Sequence, residues 1–149
     1  MFKKIFIFVL FATLTSCGFE PIYSKKNSDI IINKLELNGD KKINRKIISS
    51  LNIKERKKSE LGYKLTLDSN KLIEIVSKDE NGNASIYKTT LGVDISLSKE
   101  DEIVRKKKFN LSFSYNNMKN KFDLSEYQKN IESNLISKIT EEIFIFLNL

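Results

Sequence analysis

Thr90-Leu91-Gly92-Val93-Asp94-Ile95-Ser96-Leu97-Ser98 decides the fold. Leu91, Val93, Ile95 and Leu97 alternate with Thr90, Asp94 and Ser96. Successive residues of a strand point to opposite faces, so this pattern describes a strand with one buried and one solvated side. The strand extends back to about residue 84 and ends near 98. Lys99-Glu100-Asp101-Glu102 then reads as a turn. A further strand over about 103–116 follows, with Phe109, Leu111, Phe113 and Tyr115 alternating against Lys108, Asn110, Ser112 and Ser114. Upstream, Asp79-Glu80-Asn81-Gly82-Asn83 carries a hairpin signal, because Asn-Gly supplies the positive φ values a tight turn needs.

Working further back, Leu61, Tyr63, Leu65 and Leu67 fall on alternate positions. Asp68-Ser69-Asn70 is expected to interrupt that strand by a turn or bulge, and Leu72-Ile73-Glu74-Ile75-Val76 to resume it. Ile43, Ile47, Ile48 and Leu51 have the spacing of an amphipathic helix over about 41–52, capped by Asp40 or Asn38. Before it, Ile30-Ile31-Ile32 and Leu35-Glu36-Leu37 form a β-rich run over about 29–37. At the other end, Ser125-Glu126-Tyr127-Gln128 has capping-box spacing. Tyr127, Ile131, Leu135, Ile139 and Ile143 recur every four residues behind it, widened by Ile136 and Phe146. The order β-α-β-β-β-α implies an α+β fold: a four-stranded, mostly antiparallel sheet with two helices packed on one face, which buries every apolar stripe at once. Ile143-Phe144-Ile145-Phe146-Leu147 is apolar all round. Either the core encloses it or a partner does.

The 149 residues suggest one domain, and 40% apolar with 30% charged residues places it in the soluble globular class. The formal charge of +7 suits anionic partners such as phosphorylated lipid headgroups, or is ordinary solubility in a lysine-rich chain. Histidine is absent, which removes the usual general base and every Ser-His or Cys-His nucleophile pair. Asp79-Glu80, Glu100-Asp101-Glu102 and Glu141-Glu142 read as solvated turns and a helix end rather than paired catalytic acids. No phosphate loop and no metal-ligand spacing is present, so neither cofactor nor metal is expected and the chain reads as no enzyme.

The N-terminus has its own logic. Met1-Phe2-Lys3-Lys4 is basic, and Ile5-Phe6-Ile7-Phe8-Val9-Leu10-Phe11-Ala12-Thr13-Leu14 is an apolar run. This is the pattern of a secretory signal, too short for a spanning helix of ~20 residues. Leu14-Thr15-Ser16-Cys17 resembles the bacterial lipobox: an aliphatic residue, two small ones, then cysteine. The resemblance implies cleavage between Ser16 and Cys17, diacylglycerol on the Cys17 sulfur and an acylated new N-terminus, with enough acyl chains for stable anchoring. Gly18 in place of an aspartate favours the outer membrane. The organisation is then a signal peptide over 1–16, a lipidated tether over 17–28 and a single domain over 29–149. Nucleic acid is no partner for an exported, lipid-anchored chain.

Cys17-Gly18-Phe19-Glu20-Pro21-Ile22-Tyr23, followed much later by Phe113-Ser114-Tyr115-Asn116 before the Tyr127 helix, is similar to the LPS-assembly lipoprotein LptE family. The element order and mature length agree with it. The resemblance implies a plug and assembly partner for the LptD β-barrel, acting in lipopolysaccharide transport and insertion at the outer membrane, with the domain on the periplasmic side or inside the barrel lumen. The family is also credited with binding lipopolysaccharide through basic residues, for which charge and placement make Arg105, Lys107 and Lys88 the candidates. Arg105 and Lys107 share one strand face with Phe109 and Leu111, where they either grip phosphates or form a solubilising strand end. An accessory lipoprotein of an ABC-type lipid transport system is the alternative reading.

Overall fold

The computed structural model describes residues 30–56 and 62–148. The signal peptide, Ser16, Cys17, the tether and Leu61 lie outside the described residues. Six elements follow in order: β1 (Ile32–Gly39), α1 (Lys41–Ser50), β2 (Tyr63–Lys78), β3 (Ala84–Lys99), β4 (Glu102–Asn116) and α2 (Lys121–Asn148). The sheet order is β1-β2-β3-β4. β1 runs parallel to β2, and the other neighbours are antiparallel. The expected α+β architecture therefore holds, with the one parallel pair made by the β1-α1-β2 crossover.

Alternation puts Leu65, Leu67, Leu91, Val93, Ile95, Leu97, Phe109 and Tyr115 on one face, where all are buried. α1 adds Ile43, Ile47 and Leu51, while α2 adds Leu124, Ile131, Leu135, Ile139, Ile143 and Leu147. α1 packs on β1 and β2, and α2 on β3 and β4. Both helices share this face, so a single core forms. The terminal apolar run is divided: Ile143 and Leu147 are buried, Phe144 and Phe146 pack against the core, and Ile145 is exposed.

A polar knot sets the start of α1. The Asp40 carboxylate accepts from the backbone N–H of Lys42 (2.8 Å) and Ile43 (3.1 Å), satisfying two of the donors a helix start leaves open. The Asp40 N–H donates to the Ser69 carbonyl at 2.8 Å. The Ser69 hydroxyl donates to Asn44 Oδ1 at 2.7 Å, and Asn44 Nδ2 donates to the Asn38 carbonyl at 2.6 Å. Gly39 makes this approach, at φ +76° with an added Cβ only 2.0 Å from the Ser69 carbonyl oxygen.

That knot corrects one expectation. Asp68-Ser69-Asn70 does not interrupt β2, which runs unbroken through these residues. Ser69 is buried because Asp40 and Asn44 satisfy its polar groups, so a polar residue on the core face costs the strand nothing there. α1 starts at Lys41 behind an Asp40 cap, as expected, but the start of α2 shifts. α2 begins at Lys121 rather than at a Ser125 cap, and Asn120 accepts from the Phe122 N–H at 2.9 Å. Asn caps as well as Ser, and the earlier start brings Leu124 into the core. The hairpins differ as well. Of Asn81 and Gly82 only Gly82 takes positive φ, and the Asp79 carboxylate organises that loop by accepting from the N–H of Asn81 and Asn83. The tight two-residue turn is Glu100-Asp101, both at positive φ between the paired Lys99 and Glu102, as a type I′ hairpin requires.

Candidate functional site

The helices leave the opposite face of the sheet open, and the alternation makes it mostly polar, with Leu72 exposed among the polar residues. Asn38, Thr66, Asp68, Ser96, Lys106 and Lys108 line a hollow of ≈ 500 Å³ on this face. Lys108 pairs with Asp94 at 3.3 Å. At the sheet's other edge Glu36 takes both Lys34 (2.9 Å) and Lys64 (3.1 Å). The Lys34 ammonium, then that of Lys64, hold the Glu36 carboxyl below the ordinary glutamate range. Cross-strand pairs of opposite charge spaced among Ser, Thr and Asn give a wettable, hydrogen-bonding surface.

The three basic residues singled out by the sequence do not meet. Arg105 and Lys107 share the helix-side face of β4, as their row with Phe109 and Leu111 implies. Arg105 is half-buried, donates from Nη1 to the Phe146 carbonyl at 3.2 Å and lies 5.6 Å from the centre of that ring. It therefore ties the end of α2 to the sheet. Lys107 stands 4.8 Å over the Phe109 ring with its ammonium exposed. Lys88 sits on the open face, in register with Glu74 and Ser114, at the far end of β3. One phosphate group cannot engage all three.

The structure assembles a charged cluster that sequence reasoning missed. Glu132 of α2 is on the core side with its side chain 6% exposed, and it accepts from Lys71 of β2. Lys42 and Lys46 of α1 approach it at 3.3 and 3.9 Å. Burial works to raise this carboxyl. The hydrogen bond and charge of Lys71, and then those of Lys42, outweigh it and hold Glu132 below the ordinary glutamate value. One signal was available: Glu132 falls between Ile131, Leu135 and Ile136 on the apolar stripe, where a lone acid needs a cationic partner.

A second missed feature lies on the side of α2 away from α1. Phe113 of β4 with Tyr127, Ile131 and Leu135 of α2 floors a cleft of ≈ 450 Å³, rimmed by Asn134 and Lys138. Buried Tyr115 lies edge-on to Tyr127, with ring centres 5.8 Å apart. Among the described residues no cluster of three or more acids could hold a metal ion, and no helix is long and apolar enough to cross a membrane.

The architecture is similar to those of bacterial lipoproteins. Rare lipoprotein B from Shewanella oneidensis superposes with a TM-score of 0.58 at 15% identity, over 77% of this chain and 93% of that one. An uncharacterized lipoprotein B from Nitrosomonas europaea gives 0.62 at 9% identity, over 80% and 83%. A minor lipoprotein from Acinetobacter baumannii gives 0.57 at 11%, over 80% and 92%. At these identities the shared property is the fold. No protein-family model and no curated protein matches the sequence.

Proposed function

We propose that this chain is an outer-membrane lipoprotein of the LptE type. Lipid on Cys17 anchors it, and the domain acts, without enzymatic chemistry, as plug and assembly partner of an LptD-type β-barrel in lipopolysaccharide transport and insertion. The observation that carries this reading is a sheet covered by helices on one face and open, polar and charge-paired on the other, in a fold that bacterial lipoproteins share. A plug in a water-filled, polar barrel lumen needs a rigid body with such a hydrogen-bonding exterior. The lipobox supports the same reading, because a body tethered at the membrane meets a barrel at high effective concentration.

Within this reading Lys107 is the freer of the two basic candidates on β4, and Arg105 places it by holding the strand end to α2. Affinity purification of the full lipidated chain from outer membranes in mild detergent is the test. Co-purification of one large β-barrel is expected, and its absence sinks the proposal. Cys17→Ser is expected to release the chain from the membrane fraction. A Lys107→Ala protein that binds lipopolysaccharide as well as the parent rejects the role given to that residue.

A further inference from the structure

The outer edge of β4 lies beside the cleft lined by Phe113. The direction of each backbone group follows from a few hydrogen bonds. The Ser69 carbonyl accepts from Asp40 and the Tyr63 N–H donates to Ile31, so odd-numbered residues of β2 turn their peptide groups toward β1. Even-numbered ones therefore bond to β3, where Asn70 stands opposite Gly92. On β3 the odd residues are left to bond β4, in keeping with the Asn117 N–H donating to the Ser85 carbonyl. Asn110, Ser112 and Ser114 of β4 consequently present their N–H and C=O groups outward, with no strand beyond them among the described residues.

This edge is divided. Arg105, Lys106, Lys107 and Lys108 guard one half with charges of the kind that block strand pairing. From 109 to 118 no residue is charged, which leaves that half open to pairing. The cleft floored by Phe113, Tyr127 and Ile131 runs along this uncharged half, and Phe113 is 46% exposed there. On β2, Lys71 is instead tied to Glu132 on the helix side.

We propose that β4 accepts a strand from a partner polypeptide whose residues alternate apolar and polar. The partner's backbone pairs with Asn110, Ser112 and Ser114, its apolar side chains enter the cleft beside Phe113, and its polar ones continue the open face. Main-chain bonds supply affinity and the cleft supplies selectivity, as in other strand-addition receptors. Alternating segments are what a transmembrane barrel chain is made of, so the proposal rests on the barrel reading for the identity of the donor but not for the chemistry of the site.

The test uses the full lipidated chain in detergent and a capped, fluorescein-labelled nonapeptide of threonine alternating with valine, with a central phenylalanine. Ser112→Pro removes one outward N–H at an edge position where proline is tolerated, and Asn134→Trp fills the cleft from an exposed helix position. Each is expected to weaken peptide binding at least about tenfold, with an unchanged melting curve and with Ile75→Lys on β2 as a neutral control. No binding by the parent, or equal binding by both variants, overturns the proposal. If Ser112→Pro fails to fold, Asn134→Trp alone decides. A photoreactive residue at position 114 that crosslinks to a β-barrel supports the proposal, and one that crosslinks only to a second copy of this chain overturns it. A barrel that co-purifies equally with both variants leaves the plug reading standing and the strand receptor refuted. Peptide binding without any co-purifying barrel does the reverse.

Discussion

The two halves of β2 carry apolar residues on the same face and meet opposite fates. Leu65 and Leu67 are fully buried, whereas Ile73 and Ile75, further along the same row, are 41% and 51% exposed. The difference is one of cover. β2 has sixteen residues and reaches ~53 Å at the usual strand rise. α1 has ten and reaches only ~15 Å. β1 stops at Gly39, opposite Ser69, so beyond that point β2 keeps β3 on one side, while among the described residues no strand covers its other edge and α1 does not reach over it. The Lys71–Glu132 contact stands at the border, and α2 covers the neighbouring strands instead. Apolar alternation thus declares that a residue can be buried, and the reach of the neighbouring elements decides whether it is.

Substitutions in the two halves should differ by most of the domain's sensitivity to mutation. Leu67→Ala is expected to cost about 3 kcal/mol in urea unfolding, because the knot around Ser69 prevents the cavity from collapsing. A cost below about 1 kcal/mol would erase the distinction between the halves. Gly39→Ala attacks the border itself. It forces a Cβ against the Ser69 carbonyl at positive φ, and a loss of about 2 kcal/mol or more is expected in the same assay.

Glu132→Gln is expected to cost about 1–2 kcal/mol, less than a sealed ion pair, because the three lysines can turn toward water. Its pH dependence is specific. A carboxyl held below its ordinary value of 4.5 contributes stability that is complete above that value and is lost as pH falls through the lower folded value. The gap between parent and Glu132→Gln should therefore be constant near neutrality and close from about pH 4.5 downward. A gap that persists in acid means that Glu132 acts by packing alone. Ile75→Thr in the uncovered half should move stability by no more than about 0.5 kcal/mol, and a larger loss would show that this half is covered in solution.

Most of the architecture was legible because it is local. Strict alternation over 90–98 and 109–115 and the four-residue repeat from Tyr127 to Ile143 each identify an element and its buried side without reference to any other. The failures share one cause. Ser69 reads as a strand breaker until Asp40 and Asn44, 29 and 25 positions away, are seen to satisfy it. Asn81-Gly82 reads as the tight turn, yet the Asp79 side chain wins that loop and Glu100-Asp101 takes the I′ geometry without glycine or asparagine. Arg105, Lys107 and Lys88 look alike as charges, and only strand register shows that Lys88 faces away from the other two.

By itself the sequence determined the element order and the apolar rows from which the core is drawn, and it offers a cysteine in a stretch that resembles a lipobox. These depend on periodicity and short motifs, which are properties of neighbours in the chain. Only the tertiary structure decided that β1 is parallel to β2, that Glu132 gathers three lysines from two elements, and that half of one edge is left uncharged beside a cleft. Those depend on which elements reach each other across the sheet, and pair energies between residues 61 or more positions apart leave no repeat in the sequence for a reader to find.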